Sequence, residues 1–206
     1  MSIIHLRQIE SKLSSLFTGL IDMDDWNNKS SLDREIAFLS RSLAAFSIFA
    51  AADTSPEQAA ASITDGYNDN GIDAVYFDGR EKTLYMVQTK WKKDGTGSIE
   101  RGDNLKFIRG IKDLINVEFD RFNDKIKVRA KEIEDALYQV NMKIVIILAY
   151  TGQANISKEI SRDFDDLLKE INDPSDVMSL KILKQGDLYS FIASGSLGLP
   201  LNLMLL

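Results

Sequence analysis

The chain contains no cysteine and a single histidine, His5, among its 206 residues. Without cysteine the protein can form neither disulfide bonds nor thiolate metal sites, and a zinc finger is excluded. His5 lies in a polar opening segment, far along the chain from the other candidate residues, where we expect a surface or helix-packing role. Hydrolytic chemistry in this protein must therefore rely on carboxylates and a metal ion rather than on histidine bases.

Long hydrophobic runs are also missing. The longest uninterrupted apolar stretch, residues 144–150, is too short to span a bilayer, and the N-terminus has no charged-then-apolar secretion signal. With 44% hydrophobic residues the chain can bury one substantial core. We expect one domain over residues 1–206, cytoplasmic and with no membrane partner. The apolar segment 199–206 resembles a strand cut at its end, which predicts that the C-terminal region of a longer parent protein is a partner.

Positive charge is scarce overall but concentrated in one block. The net charge is -6, which argues against a protein that coats nucleic acid indiscriminately. Residues 80–112 contain nine basic and four acidic side chains, a net charge of +5, which leaves -11 for the rest of the chain. A basic block of this kind suits a phosphate backbone, although a solvated helix face would have the same composition.

Hydrophobic periodicity places the helices and strands. Ser30 with Asp33 is a typical cap for a helix that follows, and Ser55 with Gln58 forms a capping box around Pro56. A strand, a helix and a strand in succession between residues 143 and 183 imply a parallel pair. The predicted helices span about 3–20, 32–51, 56–62, 99–116, 120–140, 156–171 and 187–193, and the predicted strands span 72–77, 83–90, 143–150, 177–183 and 199–206.

Two of these strands form a hairpin around Asp78-Gly79 that collects polar residues at one end. One register sets Val75 against Met86 and Phe77 against Leu84, and it also sets Asp73 opposite Gln88. Gln88 and Lys90 share a strand face because alternate side chains point the same way. Asp73 lies among apolar neighbours and needs a compensating partner, which predicts either a metal site or a buried ion pair with Lys90.

The acidic loop 65–71 also has a purely conformational interpretation, because Asp, Asn and Gly dominate turns. We favour a turn role for Asp65, Asn68 and Asn70. A calcium-binding loop is excluded, since Tyr67 occupies its third position and Tyr76 stands where the bidentate glutamate belongs.

Glu35 is a further candidate acid on the second predicted helix. It lies at the border of the apolar stripe, so its carboxylate can point along the core-facing side toward a strand edge. A first-turn acid is equally favoured by the helix dipole. Both interpretations of Glu35 remain open at this point.

The motifs resemble a known superfamily. The sequence Gly-x-x-Asp-x-Gly-Ile-Asp-Ala of residues 66–74, followed by a strand, a turn and Val-Gln-Thr-Lys-Trp at 87–91, is similar to the PD-(D/E)xK restriction-endonuclease-like superfamily in its Gln-x-Lys form. More closely, it resembles the N-terminal domain of abortive-infection phage-resistance (AIPR) proteins. The resemblance implies an α/β fold with three α/β/α layers, in which a central mixed sheet carries the site on an antiparallel hairpin and has helices on both faces.

The resemblance also implies a function and a set of site residues. The implied activity is a Mg²⁺-dependent endonuclease, with Mn²⁺ as a substitute, that cleaves DNA in anti-phage defence; RNA is not excluded, and a homodimer is compatible with the superfamily. Asp73, Gln88, Lys90 and Glu35 take the catalytic positions. The implied metal ligands are Asp73, the Gln88 side-chain carbonyl, the Thr89 backbone carbonyl and Glu35, and the implied nucleic-acid contacts are Lys92, Lys93, Trp91 and Asp69.

Two departures from the superfamily pattern keep other functions open. Gln88 is neutral where most members have Glu or Asp, and Tyr67-Asn68 replaces part of a Gly-rich loop. The first departure lowers the charge of the site unless Glu35 or Asp69 compensates. The alternatives are a catalytically inactive module that binds nucleic acid or senses phage, and a purely structural scaffold.

Overall fold

The computed structural model describes residues 3–194, so the strand predicted over 199–206 lies outside the described residues. Within residues 3–194 the chain has an α/β fold built on a mixed sheet of four strands in the order β1-β2-β3-β4. The strands are β1 (Ala74–Asp78), β2 (Thr83–Lys90), β3 (Lys143–Tyr150) and β4 (Met178–Leu183).

The helices begin close to where the capping residues predict. The Ser30 hydroxyl accepts a hydrogen bond from the Asp33 N–H at 3.1 Å, and the Ser55 hydroxyl accepts one from the Gln58 N–H at 3.2 Å. Short 3-10 turns lie at Asp24–Trp26 and Phe119–Arg121. The α-helices of the described range are α1 (Ile3–Phe17), α2 (Ser31–Ala52), α3 (Pro56–Ala61), α4 (Arg101–Ile115), α5 (Asp124–Lys127), α6 (Ala130–Leu137), α7 (Lys158–Ile171) and α8 (Gln185–Ala193).

The strand register agrees with the sequence prediction. β1 and β2 are antiparallel, with Val75 opposite Met86 and Phe77 opposite Leu84. β2 pairs in parallel with β3, and β3 pairs in parallel with β4, as the strand-helix-strand succession predicts. The start of β1 and the end of β2 therefore lie side by side, at the same end of the sheet.

Alternation along β2 divides its buried side chains between two hydrophobic clusters. Tyr85 and Val87 belong to a cluster that also contains residues of α1, α2, α3 and α8. Leu84 and Met86 belong to a cluster that contains residues of α4, α5, α6 and α7. Gln88 continues the second series, which directs its side chain toward α4.

Helix α2 is unusually apolar for its length. Among residues 3–194 it is the helix long and apolar enough to cross a membrane by length and composition. In the folded chain, 72% of the most apolar segment of α2 is buried inside the protein, as is common for a helix at the centre of a core.

The single helix predicted over 120–140 is wrong. The chain instead forms a 3-10 turn, α5 and α6 in succession. Phe122 leaves the helical conformation and is buried in the core, after which Asn123 caps α5 by accepting from the Ile126 N–H at 3.2 Å. Arg129, just before α6, donates to the Val75 carbonyl at the edge of the sheet. These contacts to distant segments outweigh the local helical pattern.

Candidate metal centre

The candidate site is built around the loop of residues 65–73, which joins α3 to β1. Ile63 and Ala74 form an antiparallel bridge at the base of the loop. The Asp73 carbonyl accepts hydrogen bonds from the N–H groups of Thr64 and Asp65 at 2.8 and 3.0 Å. The loop is therefore closed at its base, and its two ends lie side by side at the edge of the sheet.

The turn conformation predicted for this loop is confirmed. Asn68 and Asn70 adopt left-handed backbone conformations with φ of 60° and 54°, and Gly71 follows with φ of 81°. A Cβ atom on Gly71 would lie 2.8 Å from the Phe107 backbone nitrogen in α4. Another on Gly110 of α4 would collide with the Asn70 carbonyl oxygen. Glycine at both positions therefore lets the loop backbone rest directly on α4.

This fold of the loop brings three carboxylates together. One oxygen each of Asp65, Asp69 and Asp73 lies within 4.8 Å of the others, and we call these residues the acidic group. Asp73 Oδ2 accepts from the Thr89 N–H at 2.6 Å and from the Thr89 hydroxyl at 2.9 Å. Because β1 begins one residue later, at Ala74, the Asp73 carboxylate takes the place of a ladder partner for Thr89.

The carboxylates of the acidic group differ in their electrostatic surroundings. Burial raises the pKa of the Asp73 carboxyl well above its ordinary value, the charges of Asp65 and Asp69 raise it further, and the two hydrogen bonds from Thr89 oppose the rise. Asp69 is instead paired with Lys106 at 2.6 Å. A cation beside Asp73 would favour its charged form and lower the repulsion within the group.

Asp65 is held by a buried arginine that the sequence analysis did not identify. The Arg41 guanidinium, fully buried in α2, pairs with Asp65 at 2.7 Å and binds both carboxylate oxygens of Asp25 at 2.7 and 2.6 Å. It also donates to the Asp22 carbonyl at 2.7 Å. The hydrogen bond from Arg41 lowers the pKa of Asp25. A signal was available, because the neighbours of Arg41 at helical spacing, Ala37, Phe38, Ala44 and Ala45, are apolar, and an arginine in such surroundings requires acidic partners.

Gln88 and Lys90 lie on the face of β2 that is turned toward α4. Both side chains contact the same residue, Asp103, in the first turn of α4. Lys90 Nζ lies 2.8 Å from Asp103 Oδ2, and Gln88 Nε2 donates to the Asp103 carbonyl at 3.0 Å. Within residues 3–194, no hydrogen bond or ion pair links Lys90 to Asp73, so the simple Asp73–Lys90 pair is wrong. Sequence reasoning missed Asp103, which carries no motif of its own.

The remaining predicted site residues occupy varied environments. Glu35 is exposed on α2 and lies outside the acidic group. Trp91 is buried in the same hydrophobic cluster as α2, rather than on a surface that could seat a phosphate backbone. The backbone N–H of Lys92 donates to the Thr151 hydroxyl at 2.6 Å, and Lys93 is exposed. Of Lys92 and Lys93, Lys93 is the more exposed to solvent.

The oxygen atoms at this edge of the sheet suit a hard divalent cation. The Gln88 Oε1 atom is buried and has no hydrogen-bond partner among the described residues 3–194, and Gln88 as a whole is only 6% exposed. The Thr89 carbonyl lies on the Asp73 side of β2, because the N–H and C=O of one strand residue point the same way. Carboxylate and carbonyl oxygens are the ligands that Mg²⁺ prefers. The residues whose oxygens the structure brings close enough to hold a metal together are Asp65, Asp69 and Asp73, and the oxygens of Gln88 and Thr89 lie at the end of the neighbouring strand.

Comparisons with known proteins do not extend this description. No protein-family model, no curated protein and no solved structure matches the chain.

Proposed function

We propose that this protein is a metal-dependent endonuclease that cleaves phosphodiester bonds in DNA, built on a restriction-endonuclease-like α/β/α arrangement of three layers. One observation carries the proposal: Asp65, Asp69 and Asp73 converge beside the strand end that bears Gln88 and Lys90. Carboxylates, a carbonyl oxygen and an ammonium at one strand end are the groups that hold a divalent cation and a phosphate oxygen together. A role in anti-phage defence is proposed from the sequence resemblance.

The metal ligands in this proposal are Asp73, Gln88 Oε1 and the Thr89 carbonyl, completed by Asp69 or Asp65. Bound Mg²⁺ or Mn²⁺ supplies Lewis-acid polarisation of a phosphate oxygen and acidifies a water molecule. Asp73 must give up its proton to act as a ligand, because only the carboxylate binds a hard cation well. The raised pKa of Asp73 therefore makes metal uptake weaken as the pH falls.

Lys90 supplies a positive charge that can leave its partner in the protein and bind the substrate. Its side chain is part exposed, and its ammonium is bound to Asp103 through one ion pair at 2.8 Å. Such a surface pair is weak, so Lys90 can exchange Asp103 for a phosphate oxygen or for the attacking water at low energetic cost. In that position the ammonium offsets the negative charge that develops on the phosphorus centre. Asp103 acts as the resting partner of Lys90.

The first experiment measures metal uptake. Titration calorimetry with Mn²⁺ is expected to show one specific binding event in the wild type and none in Asp73→Asn. Asp94→Asn serves as the control, because it removes an exposed acid that hydrogen-bonds Thr96 and lies outside the acidic group. Equal uptake by the wild type and Asp73→Asn would contradict the proposal.

The second experiment measures cleavage of plasmid DNA with Mg²⁺ or Mn²⁺. Lys90→Ala is expected to lower the rate by roughly a hundredfold or more, since it removes a charge that acts on the transition state. Lys112→Ala is the matched control, as it removes a lysine that is ion-paired with Glu170 on the surface. If the wild type cleaves neither DNA nor RNA, or if Lys90→Ala cleaves at the wild-type rate, the enzyme assignment is wrong.

A second candidate function is a nuclease-like module that binds nucleic acid or a phage component without cutting it. The observation that favours it is that Asp103 contacts both Gln88 and Lys90. In addition, the neutral Gln88 occupies the second acidic position of the superfamily pattern. Such a module would bind nucleic acid yet show no cleavage and no Mn²⁺ uptake that depends on Asp73. The two experiments above distinguish this candidate from the endonuclease.

A further inference from the structure

Tyr67 is the most exposed large apolar side chain of the described residues. Its side chain is 91% exposed, although it lies between Asp65 and Asp69 in the loop that carries the acidic group. The loop itself is closed at its base and rests on α4, so the exposure of Tyr67 does not follow from an unstructured segment. An aromatic ring displayed in this way is suited to stacking against a flat partner.

Two lysine side chains contact Asp65 and Asp69, the residues two positions before and after Tyr67. Lys106 contacts Asp69 at 2.6 Å and remains half exposed. Lys125 donates to the Asp65 carbonyl at 2.9 Å, and its charge also acts on the Asp25 carboxylate. Proteins bind single-stranded nucleic acid with exposed aromatic rings and nearby cations, because bases stack on the ring and phosphates approach the cations.

A surface depression of about 300 Å³ adjoins Lys125 on the side of α3 and α5. Its walls combine apolar side chains, including Ile63 and Val128, with the cations Lys125 and Arg129 and the acid Asp22. Val128 is 82% exposed at this position. The volume is within the range of small-ligand sites, and apolar walls with cations suit a flat base joined to a phosphate. Lys125, which lines the depression, also contacts the loop that carries Tyr67, at the Asp65 carbonyl.

We propose that Tyr67, Lys125 and this depression form a binding track for unpaired nucleotides, which makes single-stranded nucleic acid the substrate class of the site. The inference rests on the proposed endonuclease function only for the chemistry at the acidic group. Base faces are available to Tyr67 only where they are not stacked within a duplex, so the track discriminates against duplex DNA. Lys125 links the track to the acidic group through its contact with Asp65.

Binding measurements without divalent ions test this inference separately from cleavage. Fluorescence anisotropy in EDTA compares a short labelled DNA strand with the duplex of the same sequence, and the wild type is expected to prefer the single strand. Tyr67→Ala is expected to weaken single-strand binding about tenfold, as the loss of one stacked base implies. Tyr138→Ala is the matched control, since Tyr138 is 74% exposed but follows α6. Tyr67→Trp is expected to retain binding.

A charge substitution tests the depression. Val128→Glu is expected to weaken single-strand binding several-fold, because it places a carboxylate beside the proposed phosphate position. Val140→Glu is the control; Val140 is 76% exposed and lies near Lys82, at the opposite end of β2 from Lys90. Equal binding by the Tyr67→Ala and Tyr138→Ala proteins, or no preference for the single strand, would overturn the track.

The outcomes for the two proposals are distinguishable. A protein that takes up Mn²⁺ and cleaves duplex DNA at the same rate with and without Tyr67 supports the endonuclease and overturns the track. A protein that binds single strands through Tyr67 but takes up no Mn²⁺ supports the track and overturns the endonuclease.

Discussion

Asp25 and Asp73 are both aspartates near the same loop, yet their surroundings shift their pKa values in opposite directions. Asp25 receives two hydrogen bonds from the buried Arg41, which lower its pKa. Among residues 3–194, Asp73 receives hydrogen bonds only from Thr89, and burial together with the charges of Asp65 and Asp69 raises its pKa. Within the same part of the chain, the first carboxylate has a permanent cationic partner and the second does not.

This difference separates a structural acid from a candidate ligand. The Asp25 carboxylate, although 45% exposed, is already neutralised by a fixed guanidinium, so an added cation gains little there. The half-buried Asp73 carboxylate, surrounded by other carboxylates, stays unfavourable until a proton or a metal ion arrives. We therefore expect the Arg41 network to contribute to stability, whereas Asp73 has the surroundings that the proposed ion-binding role requires.

The largest expected effect comes from removing the fixed cation. Arg41→Met leaves Asp25 and Asp65 without their partner and should lower the free energy of unfolding by about 3 kcal/mol, the low end for breaking a buried ion pair, because the two carboxylates left behind are 45% and 28% exposed. Urea denaturation measures this loss. Arg34→Met is the matched control, because Arg34 is exposed on the same helix. A loss as small as that of Arg34→Met would show that Arg41 is not structural.

The next effect concerns Asp73 and requires pH as a variable. The folded protein holds a proton on Asp73 more tightly than the unfolded chain does, so without metal the protein should lose stability as the pH rises from the ordinary value of 3.8 through the raised pKa. Asp73→Asn should remove this loss and be more stable than the wild type above that window. Denaturation in EDTA across the pH range measures the difference.

Metal should reverse the order of the two proteins. At a Mn²⁺ concentration about a hundred times its dissociation constant, the wild type should gain about 2.7 kcal/mol, and Asp73→Asn should gain nothing. Asp94→Asn again provides the control for the loss of an acid elsewhere. If wild-type stability is unaffected by Mn²⁺, or if Asp73→Asn shows the same pH dependence as the wild type, Asp73 is not the uncompensated acid of the comparison.

The smallest expected effect sharpens the contrast within the acidic group itself. Lys106→Met removes the cation paired with Asp69, so the group becomes more negative and should bind Mn²⁺ a few-fold more tightly. The gain is limited because the Lys106 side chain is half exposed and screened by solvent. Lys112→Met, on the same helix and paired with Glu170, should leave the affinity unchanged. Calorimetry shows which result holds.

Much of the frame of the site could be predicted from local sequence. The alternation of apolar residues in two short segments was sufficient for the register of the hairpin, including Val75 opposite Met86. The capping residues Ser30 and Ser55 were sufficient for the starts of α2 and α3. The acidic loop was recognised as a turn, but the convergence of its acids depends on how Asn68, Asn70 and Gly71 bend the backbone.

The parts that sequence reasoning missed all depend on contacts between distant segments. Asp103 has no signal in its own helix, and it matters because α4 packs beside β2 and brings it to Gln88 and Lys90. Arg41 acquires its role only when the segments containing Asp25 and Asp65 close around α2. Local patterns report the faces of elements, whereas the pairing of faces is decided by the whole fold.

The contact between the loop and α4 has a consequence for how this protein can change over time. Gly110 lies against the Asn70 carbonyl and Gly71 lies against the backbone of Phe107, so neither position accepts a side chain unless the other segment moves. A substitution at one of these glycines therefore also changes the distances between the carboxylates of the acidic group. Among descendants of this chain, the two positions are expected to change together or to stay as they are.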